Sequence, residues 1–339
     1  MSAAPETLAP PPAAARADRA ALLGLRALQL GPILILALLC AAMAALSPYF
    51  LTGRNLSNLG FQASFVAVLA LGQLLVIITR GIDLSVGSVV GLAGVVAIVA
   101  GTGTGAGTLA LFVATGLAIG LANGAVLVWG RVMNPFIVTL GMLGIARGLA
   151  LVISDGETKT GLAPVVEAIG SHSALGVPLP VLLVAALALA VGVLLSRTQW
   201  GRWIYAVGGN PDAARRAGIP ASGVLLSVYA LCGLLAGVAA ILVAGRTDSA
   251  SPQAGELLEL DSITAVIIGG ASFMGGRGRV TNVLAGALII GVIRNGLDLL
   301  GVNPFWQQVA IGVLVIVSLE LDVLRSWLER RLRTRAASA

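Results

Sequence analysis

The sequence has 339 residues, of which 58% are apolar, 11% charged and 4% aromatic, and its formal net charge is +6. Soluble domains carry about 25% charged residues, so this composition excludes a water-soluble particle and predicts a chain solvated by lipid. The basic residues are dispersed between apolar stretches, which favours membrane topology over nucleic-acid binding as the reason for the positive charge.

The first 29 residues are rich in Ala and Pro and lack an apolar stretch with a cleavage site. We therefore expect residues 1–29 to be a disordered cytoplasmic tail. A helix needs about 20 apolar residues to cross a bilayer whose hydrocarbon core is about 30 Å thick. Such stretches fill residues 30–323, which we predict to be one all-α, polytopic transmembrane domain, and residues 324–339 form a basic cytoplasmic tail.

Ten spans are predicted along this domain. The third and eighth are short, and the tight breaks at residues 81–83 and 275–279 are typical of helices that are interrupted within a bundle. In chain order the predicted spans are residues 30–47, 61–79, 86–101, 108–129, 135–153, 180–196, 222–245, 262–274, 280–300 and 305–323.

The positions of the basic residues test the orientation, because cytoplasmic loops are rich in Lys and Arg. With the N-terminus inside, sixteen of the 21 basic residues fall in cytoplasmic segments and three fall outside. Arg147 and Arg294 fall within spans, near enough to the outer ends to snorkel towards the interface. Both termini are therefore predicted to be cytoplasmic.

The residues needed for common catalytic chemistry are scarce. The single lysine, Lys159, lacks the glycine frame of a nucleotide-hydrolysing P-loop. The single histidine and the distant Cys40 and Cys232 predict neither a metal site nor a disulfide. We expect no cofactor, no metal and no enzymatic activity in this chain.

The most informative cytoplasmic stretch, residues 197–221, lies between the sixth and seventh spans. Pro211 is expected at a turn, a short helix is predicted from Asp212, and Gly218 ends it. A short helix that exposes Arg215 and Arg216 at the membrane surface suits docking to a cytoplasmic partner. An ordinary loop helix facing water would have the same pattern.

Four segments carry a resemblance to a known family. Asp212-Ala213-Ala214, followed after three residues by Gly218-Ile219, resembles the coupling loop of importer permeases of the ATP-binding-cassette class, with Asp where that class has Glu. Residues 201–210 are similar to the ribose/xylose/galactose branch of those permeases, as are residues 79–87, 265–279 and 295–301. The resemblance covers about residues 46–323.

The resemblance implies a type II-like permease in the bacterial plasma membrane that translocates a monosaccharide. Its implied partners are a cytoplasmic ATPase subunit, a second permease copy and a soluble sugar-binding protein outside. The residues that would couple to the ATPase are Gly201, Arg202, Tyr205, Gly208, Gly209, Asn210, Asp212, Ala213, Ala214, Arg216, Gly218 and Ile219.

The resemblance also marks two turns, composed of Gly81, Asp83, Ser85 and Gly87, and of Gly275, Gly276, Arg277 and Gly278. Asp83 is expected to cap the N-terminus of the third span, to act at a gate at the inner mouth, or both. Arg277 and Arg279 suit positive-inside anchors, with contact to a partner as the alternative.

A neutral sugar needs hydrogen-bonding side chains along its path. The candidates within spans are Gln73, Asn123, Arg147, Asn282, Arg294, Asn295, Gln307 and Gln308, although each could instead bond across helices. Alternative functions are import of an inositol, a nucleoside, an autoinducer or a branched-chain amino acid, a stand-alone secondary transporter, and a membrane scaffold without transport activity. Ion coupling has little support, because the acidic residues lie mostly at predicted span ends.

Overall fold

The computed structural model describes residues 30–101, 103–130 and 134–337, with side chains described as far as residue 320. The predicted tail at residues 1–29 lies outside the described residues. The helices are α1 (Leu30–Leu46), α2 (Gly53–Ile78), α3 (Val86–Val99), α4 (Gly105–Trp129), α5 (Pro135–Ser154), α6 (Pro164–Ser171), α7 (Leu179–Arg197), α8 (Gln199–Gly209), α9 (Pro211–Arg216), α10 (Ala221–Thr247), α11 (Leu258–Ile268), α12 (Val280–Leu299) and α13 (Pro304–Ala337).

Four very short strands form two antiparallel ribbons at the connections between helices. β1 (Lys159–Thr160) pairs with β4 (Ser249–Ala250), with Lys159 opposite Ala250. β2 (Ser173–Ala174) pairs with β3 (Val177–Pro178). The first ribbon ties the connection after α5 to the connection after α10.

Each of the ten predicted spans coincides with a helix. Among the described residues, six helices are long and apolar enough to cross a membrane: α2, α4, α5, α7, α10 and α12. α1, α3 and the first part of α13 are shorter apolar helices. The chain is therefore a mostly helical polytopic membrane protein.

Three helix ends differ from the predicted span ends. α2 begins at Gly53, well before residue 61, because Thr52 caps it by accepting a hydrogen bond from the Asn55 N–H. α11 ends at Ile268, since Gly270 has a φ of 78° and turns the chain. α13 continues to Ala337, so the predicted C-terminal tail is helical over its described residues.

α2 is the centre of the bundle and is buried over most of its length. It packs against α7, α10, α11 and α12. α4, α5 and α7, in contrast, expose most of their apolar side chains. An apolar surface of this kind fits hydrocarbon surroundings, where no water penalises exposed Leu and Val.

The closest helix pair is α4 with α10. A Cβ added at Gly116 would overlap the carbonyl oxygen of Gly233, and one added at Gly233 would overlap the carbonyl oxygen of Gly116. Gly120 and Gly237 make the same kind of backbone contact. Glycines spaced four residues apart in each of the two helices thus let the backbones approach closely.

Two short helices begin inside the bundle. The chain turns back after α2 and starts α3 from the buried residues Asp83 and Ser85. Residues 251–257, which we call the re-entrant segment, lie against α3, where a Cβ at Gly91 would meet the carbonyl oxygens of Pro252 and Ala254. α11 then begins at Leu258, next to the start of α3.

We predict that Gly233→Ala lowers the free energy of unfolding by about 1–3 kcal/mol, because the added methyl group has no space between α4 and α10. Gly192→Ala is the matched control, since nothing lies within 4 Å of a Cβ at that position in α7. The measurement is thermal unfolding of both variants in the same detergent. Equal stability of the two variants would contradict the packing described here.

Candidate translocation and coupling site

The turn between α2 and α3 is held by a buried carboxylate. Asp83 accepts hydrogen bonds from the Ser85 N–H at 2.9 Å and the Ser85 hydroxyl at 2.6 Å. Asn123 of α4 donates to both Asp83 oxygens at 3.3 Å. The expectation that Asp83 caps α3 is wrong, because the N-cap residue is Ser85 and Asp83 lies two residues earlier.

Gln73 of α2 fixes the backbone of the same turn. Its amide group donates to the Asp83 carbonyl oxygen, and its oxygen accepts from the Asp83 N–H at 3.4 Å. Within the described residues, the buried Tyr229 hydroxyl and the Asn123 Oδ1 atom have no hydrogen-bond partner. Gln73 and Asn123, both predicted to line a path, are thus fully buried inside one subunit and hold this turn.

The two arginines predicted within spans contact α11 and the re-entrant segment that precedes it. Arg147 of α5 donates to the carbonyl oxygens of Pro252 and Ala254 in the re-entrant segment, the latter at 3.1 Å. Arg294 of α12 pairs with Asp261 of α11 at 2.7 Å. The Asp261 side chain is fully buried and that of Arg294 is 31% exposed.

The start of α11 is strongly acidic, and only some of its buried polar atoms have a hydrogen-bond partner. Glu259 and Asp261 lie in its first turn, where the helix dipole favours negative charge. Among the described residues, Glu259 Oε2, Asp261 Oδ1 and Arg294 Nε are buried polar atoms without a hydrogen-bond partner. Charged groups in membranes face the bundle interior or a water-filled cavity, so this region is a candidate for contact with a polar solute.

We call the partly or fully exposed members of this region, Arg147, Gln253, Glu256 and Arg294, the polar strip. They are gathered around the re-entrant segment and the start of α11. The sequence singled out Arg147 and Arg294. From sequence, the acidic connection that holds Glu256 is expected to be an outer loop that meets a partner protein or faces water, and nothing singles out Gln253.

The remaining path candidates lie elsewhere. Asn295 of α12 exchanges two amide hydrogen bonds with Asn55 of α2, at 2.9 and 2.8 Å. Gln307 of α13 donates to Asp298 at 2.7 Å. Asn282 is buried and Gln308 is exposed. The structure therefore does not bring the predicted path residues together in one place.

Residues 197–221 contain the short helix that the sequence predicts from Asp212. Asn210 caps α9 by accepting from the Ala213 N–H at 3.0 Å, and Gly218 follows the helix with a φ of 78°. Ala214 is buried against the bundle, while Arg202 and Arg216 are exposed. The helix begins one residue before the predicted start at Asp212, and the predicted stop at Gly218 is confirmed.

α8, which precedes α9, is anchored on the turn at residues 275–278. The Tyr205 hydroxyl donates to the Gly278 carbonyl oxygen at 2.7 Å. Burial raises the pKa of Tyr205, so this hydroxyl stays protonated and able to donate. The Gly276 N–H donates to the Ile78 carbonyl oxygen at the end of α2, at 2.8 Å. Two turns marked by the resemblance and the predicted coupling residues thus meet at one end of the bundle.

Arg80 also belongs to this meeting point. Its Nε atom donates to the Gly208 carbonyl oxygen at 2.6 Å, and its Nη2 atom donates to the Gly209 carbonyl oxygen. From sequence, Arg80 counts only among the sixteen basic residues that are predicted to lie on the cytoplasmic side. Within the described part of the chain, no cluster of three or more His, Cys, Asp and Glu side chains forms a metal site.

Helices of membrane-spanning length, two interrupted helices and a surface helix at one end define a multi-pass transport permease. A family model described as the permease component of the branched-chain amino acid transport system matches residues 55–319. The chain belongs to this family of membrane permeases.

Relatives cover nearly the whole chain. The ribose import permease protein RbsC of Escherichia coli K12 is 42% identical over 296 residues, which are 86% of this chain and 92% of the relative. RbsC of Bacillus subtilis 168 is 40% identical over 88% of this chain and 94% of its own length. The D-allose transport system permease protein AlsC of E. coli K12 is 38% identical, with coverage of 87% and 92%. No solved structure matches the chain. The resemblance to sugar importer permeases is confirmed.

We predict that Arg294→Met destabilises the protein by roughly 3 kcal/mol, because it leaves the Asp261 carboxylate buried without its cation. The double variant Arg294→Met/Asp261→Leu should recover most of this loss, since it removes both charges. Thermal unfolding of the two variants in detergent is the measurement. A double variant that is as unstable as the single one would show that the ion pair is not the cause.

Proposed function

We propose that this chain is the membrane-spanning subunit of an ATP-binding-cassette importer that moves a monosaccharide into the bacterial cytoplasm. The observation that carries the proposal is the similarity to import permeases for several monosaccharides. Besides the ribose and allose permeases, the fructose import permease protein FrcC of Rhizobium meliloti is 37% identical over 86% of this chain and 84% of its own length. The direct test is ATP-dependent uptake of labelled ribose by proteoliposomes that contain the chain with its ATPase and sugar-binding partners.

The proposed topology has ten crossings with both termini in the cytoplasm. It is supported by the ten helices at the predicted positions and by the grouping of the basic residues. Arg246 contacts Asn58 and the Phe61 ring near the start of α2, while Arg80 lies beyond the end of α2. The proposed outer and inner arginines therefore lie at opposite ends of the same helix.

ATP would be hydrolysed by a partner subunit that docks on α8 and α9. The exposure of Arg202 and Arg216 next to the buried Ala214 supports this surface, because it is polar outside and anchored inside. A binding protein would deliver the sugar at the opposite end of the bundle. ATP binding to the partner would shift the permease between its two packing states.

A second copy of the chain is the proposed membrane partner. α5 exposes much of its length, and open space surrounds Gly141, Gly144 and Gly148 along one of its faces. Small residues at this spacing let another helix approach closely. α5 also carries Arg147, so a copy docked near this helix would enclose the polar strip.

The polar strip is the part of the chain that we propose to line the sugar path. Amide, carboxylate and guanidinium groups offer the acceptors and donors that a polyhydroxylated, uncharged solute needs. Gln253 and Glu256 are exposed beside Arg147, which is tied to the backbone on either side of Gln253. The strip is thus held in place by its own arginine.

We predict that Arg216→Glu lowers both ATPase binding and sugar uptake by about tenfold or more, equivalent to at least 1.4 kcal/mol of docking energy. Gly218→Asp should have a similar effect, because its φ of 78° strains any residue with a Cβ. Titration of the permease with its ATPase subunit is the measurement. The control Arg54→Glu reverses an arginine at the other end of the bundle, and an equal loss there would argue against specific docking on α9.

We also predict that a cysteine placed on the polar strip meets water. In a Cys40→Ala/Cys232→Ala background, Glu256→Cys should react with a hydrophilic thiol reagent at least about tenfold faster than Leu189→Cys, because thiols ionise in water and not in lipid. Leu189 is 70% exposed on the apolar surface of α7. The assembled complex is the sample, and equal labelling at both positions would contradict the proposed path.

The family description also names branched-chain amino acids, so an amino acid is the second candidate substrate. Uptake by the same proteoliposomes distinguishes the two. Competition by unlabelled ribose and not by leucine supports the sugar, and the reverse result supports the amino acid.

A further inference from the structure

Three segments meet at one end of the bundle through contacts between their main chains. We call residues 78–80, 208–209 and 275–278 the three-way junction. The Gly276 N–H donates to the Ile78 carbonyl oxygen at 2.8 Å. A Cβ at Gly208 would overlap the same carbonyl oxygen, and a Cβ at Gly276 would lie 3.0 Å from the Gly209 Cα atom. The main chains of the α2, α8 and α11–α12 ends are therefore in direct contact.

The long side chain of Arg80 crosses this junction from the end of α2 to α8. It donates from Nε to the Gly208 carbonyl oxygen at 2.6 Å and from Nη2 to the Gly209 carbonyl oxygen. These carbonyl groups form the C-terminal end of α8, where a cation is favoured. A guanidinium fork holds its donors in a fixed plane that matches two neighbouring acceptors, whereas a lysine ammonium is a compact point charge without this geometry. A Cβ at Gly275 would overlap Arg80 Cγ, so the side chain also passes directly over the third segment.

The backbone of Arg80 points to a requirement for its side chain. Arg80 has a φ of 66°, in the left-handed region that favours glycine. Glycine would fit this turn more easily, yet only a long cationic side chain can reach α8. The hydrogen bonds from Arg80 to α8 thus explain why an arginine occupies a position with a positive φ.

Both interrupted helices continue from the junction. Three residues beyond Arg80, Asp83 fixes the start of α3, and α3 packs on the re-entrant segment. On the other side, residues 275–278 follow α11 and lead into α12. A displacement of α8 would consequently reach the two helices that flank the polar strip.

We infer that Arg80 is the positioning residue that makes the cytoplasmic loop move as one body with the α2–α3 and α11–α12 turns. This inference rests on the proposed function, since it assigns to Arg80 the transfer of the ATPase movement to the sugar path. It goes beyond docking, because Arg80 belongs to α2's end and lies outside residues 197–221. Loss of the residue breaks the transmission and leaves the docking surface intact.

The experiment compares Arg80→Gly with wild type in the reconstituted complex of permease, ATPase and binding protein. Glycine keeps the left-handed turn and removes only the side chain that connects the end of α2 to α8. We expect normal assembly and basal ATP hydrolysis, with about a tenfold fall in sugar moved per ATP hydrolysed, within the usual range of coupling between sites. Arg80→Lys, which keeps the charge without the fixed guanidinium fork, should fall between the two. Arg54→Ala removes an exposed arginine at the other end of the bundle and should behave as wild type.

The ratio of transport to ATP hydrolysis separates transmission from mere loss of structure, because an unstable variant would lower both rates together. Arg80→Gly with wild-type coupling would overturn the inference. If Arg80→Gly does not assemble, Arg80→Met decides, since it keeps a long side chain and removes the guanidinium donors to α8. Wild-type coupling in that variant would then overturn the inference. A wild-type complex that moves no solute with ATP would instead contradict the proposed function.

Discussion

Every backbone polar group inside a bilayer must find a partner within the protein, and this constraint shapes the places where the helices of this chain break. At the α2–α3 turn, Gln73 satisfies the backbone of Asp83, and Thr139 of α5 donates to the Ile82 carbonyl oxygen at 3.1 Å. At the re-entrant segment, Arg147 satisfies two carbonyl groups. Irregular backbone is thus paired with long polar side chains from neighbouring helices.

This pairing links structure to transport. A side chain that satisfies a helix break ties that break to another helix, so the interrupted helices cannot shift alone. Glycines add a second restriction, because α4 and α10 approach so closely that neither tolerates a side chain at the contact. The bundle therefore offers few ways to move, which suits a protein that changes between discrete packings.

Much of this architecture could be predicted from the sequence. Each predicted apolar span overlaps a described helix, because the bilayer sets the length that an apolar segment needs. The short helix before Gly218 was also predictable, since helix capping depends on local spacing. The contact of Gly116 with Gly233 was not, because it joins distant parts of the chain. The ends of the helices were less predictable than their positions. α2 starts after the Thr52 cap, among exposed residues that do not belong to an apolar stretch.

The sites were predicted less completely, because they depend on contacts between distant parts of the chain. Nothing local to Gln73 or Asn123 indicates that both serve Asp83 and not an open passage. Arg80 looked like an ordinary inside arginine, although its acceptors lie 128 and 129 residues further along the chain. Glu259 and Asp261 looked like residues of a solvated connection, because the sequence does not reveal that the chain re-enters the bundle there.

The length of α13 has a consequence of its own. Its 34 residues make a rod of about 51 Å, well beyond a hydrocarbon layer of about 30 Å. The rod therefore projects from the membrane without a break, and any tilt within the lipid is magnified at its tip.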